Sequence, residues 1–137
     1  MELADTSAWT ARHRDPQIEE RFNDLVEDGE IAICEMVELE LLTSAVDGAD
    51  FVERREALES LPIVSIDAAV WRRATDVYEL LAKRGPLHHR QVKVPDLLIA
   101  AAAELAEVAV VHYDRDFEVI AGVTAQPLRA LAPLGFL

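Results

Sequence analysis

The sequence predicts an α/β domain built on a parallel sheet, and three observations carry that prediction. Short apolar runs alternate with segments of helical periodicity along the chain, the pattern of strands joined by crossover helices. One late run, Val108 to Tyr113, is almost wholly apolar, as a strand covered on both faces must be. The 137 residues, 51% of them apolar, suffice for one well-buried core but not for two domains of ordinary size, so 1–137 is read as a single domain.

A first strand covers Glu2 to Ala4, and Asp5 to Ser7 start a helix by offering short polar side chains to free backbone amides. From Gln17 to Asp28, the residues Ile18, Phe22, Leu25 and Val26 mark one face of a helix that stops at Gly29. Ile31 to Ile33 forms a second strand. Met36 to Ala45 reads as a largely buried helix. Asp50 to Leu61 reads as a more exposed amphipathic one, with Phe51, Leu58 and Leu61 inward and Pro62 ending it. Ile63 to Ile66 is predicted as a third strand. Asp67 then caps a helix with the stripe Val70, Ala74, Val77 and Leu81, which ends near Gly85-Pro86.

After a basic loop from Leu87 to Val94, Pro95 opens a helix through Glu107 whose Leu97, Leu98, Ile99 and alanines imply burial on most sides. The strand Val108 to Tyr113 follows, then a last helix from Asp116 to Ala121 and a short edge strand within Gln126 to Leu131. Trp9 and Trp71 are expected to pack, and His112, inside an apolar strand, to be a hydrogen-bonded core residue.

The net charge of −13 opposes broad adhesion to nucleic acid or anionic lipid. Yet Lys83, Arg84, Arg90 and Lys93 put 4 of the 13 basic residues in one short segment, together with His88 and His89, so a polyanion would be attracted at one edge. The single Cys34 excludes an intramolecular disulfide and a cysteine zinc site, which fits a reducing cytoplasm. Acids stand at the N-terminus where a signal peptide carries Lys or Arg, and Glu104 and Glu107 break the longest apolar region. Neither export nor a membrane span is expected.

Four carboxylates adjoin or interrupt apolar runs: Asp5, Glu40, Asp96 and Asp114. Ionised carboxylates are costly in such places unless they are paired or bind a metal, and with no dedicated Lys or Arg nearby in sequence the set suggests a hard-cation site for Mg²⁺ or Mn²⁺. In an open parallel sheet, ligands bind beyond the carboxyl ends of the strands. Asp5 and Asp114 both follow strands, Asp96 begins the helix that feeds the Asp114 strand, and Glu40 shares a helix face with Met36, Val37 and Ser44. Structural readings stay open for single residues: Asp5, Asp96 and Asp116 each suit a helix start. Glu40, within a mostly apolar helix, has no capping role. Two other functions also remain open. One is a Mg²⁺-dependent phosphatase or phosphotransferase with Asp5 as nucleophile, although Ser7 stands where the haloacid-dehalogenase pattern wants a second Asp. The other is a non-catalytic acidic binding module.

The segments Leu3-Ala4-Asp5-Thr6-Ser7-Ala8-Trp9, Glu40-Leu41-Leu42, Pro95-Asp96-Leu97-Leu98-Ile99-Ala100-Ala101 and His112-Tyr113-Asp114-Arg115-Asp116-Phe117, in this order, make the chain resemble PIN-domain ribonucleases of the VapC toxin type over essentially its whole length. The stretch Gly85 to Pro95, with His89-Arg90 ahead of Pro95-Asp96, also resembles an actinobacterial subgroup. The resemblance implies a three-layer αβα fold with a mostly parallel sheet. It implies that Asp5, Glu40, Asp96 and Asp114 form the acidic catalytic set, with Asp116 a further metal-site member beside Asp5, Asp96 and Asp114. It also implies Mg²⁺- or Mn²⁺-dependent cleavage of RNA, with tRNA or rRNA as usual targets, homodimerisation, and inhibition by a VapB-type antitoxin. Thr6 and Ser7 are expected to support the acids by hydrogen bonding, and Arg90, Lys93 and His89 to contact the RNA backbone.

Overall fold

Four short strands form one sheet in the computed structural model, which describes residues 1–137: β1 (Glu2–Ala4), β2 (Ile31–Ala32), β3 (Ala109–His112) and β4 (Leu128–Ala130). All pairings are parallel and the spatial order is β2-β1-β3-β4. Seven helices surround it: α1 (Thr6–Ala11), α2 (Pro16–Glu27), α3 (Glu35–Leu42), α4 (Gly48–Glu59), α5 (Ala68–Ala82), α6 (Val94–Leu105) and α7 (Asp116–Thr124). Successive strand residues point to opposite faces, so the complete burial of both Leu3 and Ala4, and of both Val110 and Val111, means that each sheet face is covered. This is the three-layer αβα arrangement. No helix is long and apolar enough to cross a membrane.

The core follows the apolar stripes. Val70, Ala74, Val77 and Leu81 of α5 are all buried, as is every residue of α6 from Asp96 to Ala103. Asp15, Asp47 and Asp67 cap α2, α4 and α5 through their carboxylates, and Gly29 ends the α2 turn at φ +72°. His112 is 1% exposed; burial lowers its basicity, and its Nδ1 accepts from the Asp114 N–H, as suits a neutral core imidazole.

Four expectations are corrected. The third strand, Ile63 to Ile66, shrinks to one parallel bridge between Ile33 and Ile63. Its neighbour turns into α3 at Glu35, and the Ile66 N–H donates to the Glu35 carboxylate at 2.9 Å instead of to a strand. Phe51, expected inward, is 39% exposed because α4 has no buried residue, with only Leu58 and the following Leu61 leaning on the core. The helix predicted for 36–45 is shorter, and only Val37 and Leu42 in it are buried. Trp9 packs edge-on against Phe22, but Trp71 is 55% exposed, off the inward stripe of α5.

Candidate metal centre

The chain leaves β1 toward β2 on one side and comes back as β3 on the other, so the crevice at the carboxyl ends of β1 and β3 is the switch point of the sheet. Ala4 pairs with Val111, and the Asp5 N–H donates to the Val111 carbonyl at 2.9 Å, which places Asp5 at the rim beside the end of β3. Asp5 also caps α1. Its Oδ2 accepts from the Ser7 N–H at 2.9 Å and from Ser7 Oγ at 2.5 Å. Ser7 Oγ in turn accepts from the Tyr113 N–H at 2.9 Å, so one hydroxyl ties the two strand ends together.

Thr6, the first residue of α1, donates from Oγ1 to Glu40 Oε1 at 3.0 Å, bringing the α3 carboxylate to the same rim. Glu40 is half-buried, whereas Glu35 serves the Ile66 amide. Asp96 stands in the first turn of α6 and is 4% exposed. Asp114 and Asp116 flank the start of α7: Asp114 Oδ1 accepts from the Asp116 N–H, and Asp116 Oδ2 from the Lys93 N–H at 3.0 Å. Oxygens of Asp96, Asp114 and Asp116 lie within 4.8 Å of one another.

The electrostatics are those of crowded, desolvated acids. Burial raises the Asp5 carboxyl above its usual range even against the bonds from Ser7, and burial likewise raises Glu40, with Asp5 adding to it. Asp96 is pushed up to about 8, by burial first and then by its proximity to Asp116 and Asp5. Asp116 moves the other way: burial would raise it, but the Lys93 amide, the neighbouring Asp96 carboxyl and the Lys93 ammonium outweigh that and hold it low.

Asp5 is 3% exposed, and Asp5 Oδ1 and Asp96 Oδ2 are buried oxygens with no hydrogen-bond partner. Two unpartnered oxygens among five carboxylates fit a hard divalent cation, because such ions take oxygen ligands and remove the repulsion between acids. Asp96, Asp114 and Asp116 are the carboxylates whose oxygens come close enough together to hold such an ion, while Asp5 and Glu40 stand at the same rim outside that trio.

Lys93 is the participant that sequence reasoning missed at this position. Its Nζ lies 2.9 Å from Asp114 Oδ2, 3.1 Å from Asp116 Oδ2 and 3.6 Å from Asp96 Oδ2, so the acids do have a dedicated cation. The spacing of three residues from Asp96 along a helix start was the only signal in the sequence. Among the other basic-segment residues, Arg90 is exposed, while His89 is half-buried with its ring edge-on to Tyr78 at 5.0 Å.

The sequence matches the PIN domain family over residues 3–123. It is 39% identical over 133 residues to Ribonuclease VapC18 of Mycobacterium tuberculosis, covering 97% of this chain and 96% of that protein. It is 42% identical over 130 residues to Ribonuclease VapC21 of the same species, covering 92% and 90%. Among solved structures, a toxin-antitoxin complex from Klebsiella pneumoniae contains a chain of the same fold, with a TM-score of 0.69 at 17% identity, covering 96% of this chain and 98% of that one. A DNA-bound VapBC from Salmonella typhimurium gives a TM-score of 0.66 at 21% identity, covering 96% and 100%.

Proposed function

The chain belongs to the PIN domain family, to its VapC type, and on that premise we propose that it is a divalent-metal-dependent endoribonuclease and the toxin of a toxin–antitoxin pair. One observation carries the metal dependence: Asp5 and Asp96, 3% and 4% exposed, each keep a carboxylate oxygen without a partner at the switch crevice of the sheet. Ionising carboxylates packed together out of water is costly, and a divalent cation held between them offsets that cost more fully than one ammonium 3.6 Å from Asp96 Oδ2. The names of the relatives, ribonucleases over nearly their whole length, support the choice of RNA.

Bound Mg²⁺ or Mn²⁺ would supply charge against the phosphodiester and acidity to an attacking water, leaving a 5′-phosphate and a 3′-hydroxyl. The rest falls to the chain itself. Ser7 holds the Asp5 carboxylate in one orientation, Thr6 holds Glu40, and the Asp116 amide holds Asp114, so these three acids are fixed by the first turn of α1 and the start of α7. The RNA backbone contacts in this reading are Arg90, whose exposure supports it, with His89 next to it in the chain and Lys93 at the rim. The proposed substrate is tRNA or rRNA. The proposed inhibitor is a VapB-type antitoxin that sets an Arg among Asp5, Glu40, Asp96 and Asp114, and the proposed assembly is a homodimer.

Purified protein tests the reading. Cleavage of RNA with Mn²⁺, none with EDTA, and loss of cleavage in Asp5→Asn, Glu40→Gln and Asp96→Asn at retained circular dichroism are the expected results. Phosphomonoester hydrolysis without RNA cleavage would favour the phosphatase alternative instead.

A further inference from the structure

Lys93 contacts three of the carboxylates assigned to the cation, and its surroundings distinguish a tether from a fixed structural ion pair. The backbone at Lys93 is anchored twice: its N–H donates to Asp116 Oδ2, and its carbonyl accepts from the Asp96 N–H at 3.1 Å and the Leu97 N–H at 3.3 Å. The side chain beyond it is 64% exposed, so charge alone draws Nζ toward the acids. The ammonium lies within 3.6 Å of Asp96, Asp114 and Asp116, the same three carboxylates that bring oxygens within 4.8 Å of one another. An ion such as Mg²⁺ sits about 2.0–2.1 Å from its oxygens, so the two cations cannot share one centre. Inside the pocket, Asp96 Oδ2 and Asp5 Oδ1 stay without hydrogen-bond partners, because Lys93 reaches the former only at 3.6 Å and makes no ion pair with Asp5.

We propose that Lys93 is a tethered counterion of the metal site: its ammonium covers Asp96, Asp114 and Asp116, and a divalent cation binds there by displacing it. The inference rests on the metal-dependent reading above and adds what that reading lacks, a residue that sets how much free metal the site needs. A charge of +2 among several acids prevails over one of +1, and a stem that is mostly in water lets the ammonium leave without breaking apolar packing. The metal-free pocket is meanwhile kept from repelling itself open.

The chain has two lysines, Lys83 and Lys93, and Lys83 lies exposed on the surface as an internal standard. Wild-type protein is acetylated with a limiting amine reagent in EDTA and in saturating Mn²⁺, and the Lys93 to Lys83 labelling ratio is read by mass spectrometry. The ratio should rise several-fold with Mn²⁺ as the ammonium is released. In parallel, calorimetric Mn²⁺ titration of Lys93→Met should give binding at least about tenfold tighter than wild type, since the competitor is gone. Lys93→Met should also melt lower than wild type in EDTA. An unchanged labelling ratio in Mn²⁺-saturated wild type would overturn the proposal while leaving the metal site standing, and so would equal or weaker Mn²⁺ affinity in Lys93→Met. Failure of both proteins to bind Mn²⁺ would bring down the metal reading and this inference together.

Discussion

Asp96 has the environment least like that of a free carboxylate, almost wholly buried at the start of an apolar helix, with acids as near neighbours. Burial first, then Asp116 and Asp5, moves it from 3.8 to about 8, so the fold favours its protonated form. A carboxyl raised on folding contributes stability that is complete below its unfolded value and is lost as pH climbs through the folded one. Metal-free protein should therefore lose stability between about pH 4 and pH 8, a range set by that shift. Melting curves in EDTA across that range should fall more steeply for wild type than for Asp96→Asn, and parallel slopes would contradict the assignment. Ser7 matters for a different reason, since its hydroxyl serves both Asp5 and the Tyr113 amide. Ser7→Ala strands that amide and should cost about 1–3 kcal/mol in urea denaturation, with weaker Mn²⁺ binding. The acids were legible in the sequence because a charge inside an apolar run is conspicuous. The role of Lys93 was not, because its partners Asp114 and Asp116 are 21 and 23 residues away and meet it only when α7 packs beside the start of α6.

Helix α6 joins core to site, for the same turns that bury Leu97 to Ala103 place Asp96 at the crevice. Ile99 is fully buried there, and Ile99→Ala should destabilise the protein by about 2–5 kcal/mol, read from the urea midpoint. A loss under about 1 kcal/mol would mean that α6 is not the packed centre described here. Elements with a strong stripe or a continuous apolar run, α5, α6 and β3, were legible because burial on a fixed period dictates them. The predicted strand at 63–66 was not, since its apolar residues satisfy a strand pattern equally well whether or not a partner continues alongside. Its partner becomes α3 after one bridge, and a side chain, Glu35, takes the amide that a ladder would have used. Phe51 and Trp71 failed similarly: a large apolar residue indicates which face could be buried, but not whether anything covers it.

At the scale of the whole molecule, the parallel order β2-β1-β3-β4 brings the ends of β1 and β3, with Asp5 and Asp114, to one rim, on a chain whose net charge of −13 opposes RNA elsewhere. Binding should depend on a few local cations. Arg90→Ala should weaken RNA affinity and reduce the slope of log affinity against log salt by about 0.7 for a single-stranded site, as expected when one phosphate is no longer neutralised. An unchanged slope in a fluorescence-anisotropy titration would return Arg90 to the solvated surface. The claim on which all of this depends is that the acid pocket cuts RNA, and sequencing the 5′ ends of cellular RNA after brief induction tests it most directly. Wild-type protein should generate new 5′-phosphate ends at a small set of discrete sites in tRNA or rRNA, and Asp96→Asn, expressed to the same level, should generate none. The same ends at the same frequency from Asp96→Asn, or no new ends from wild type, would contradict the account.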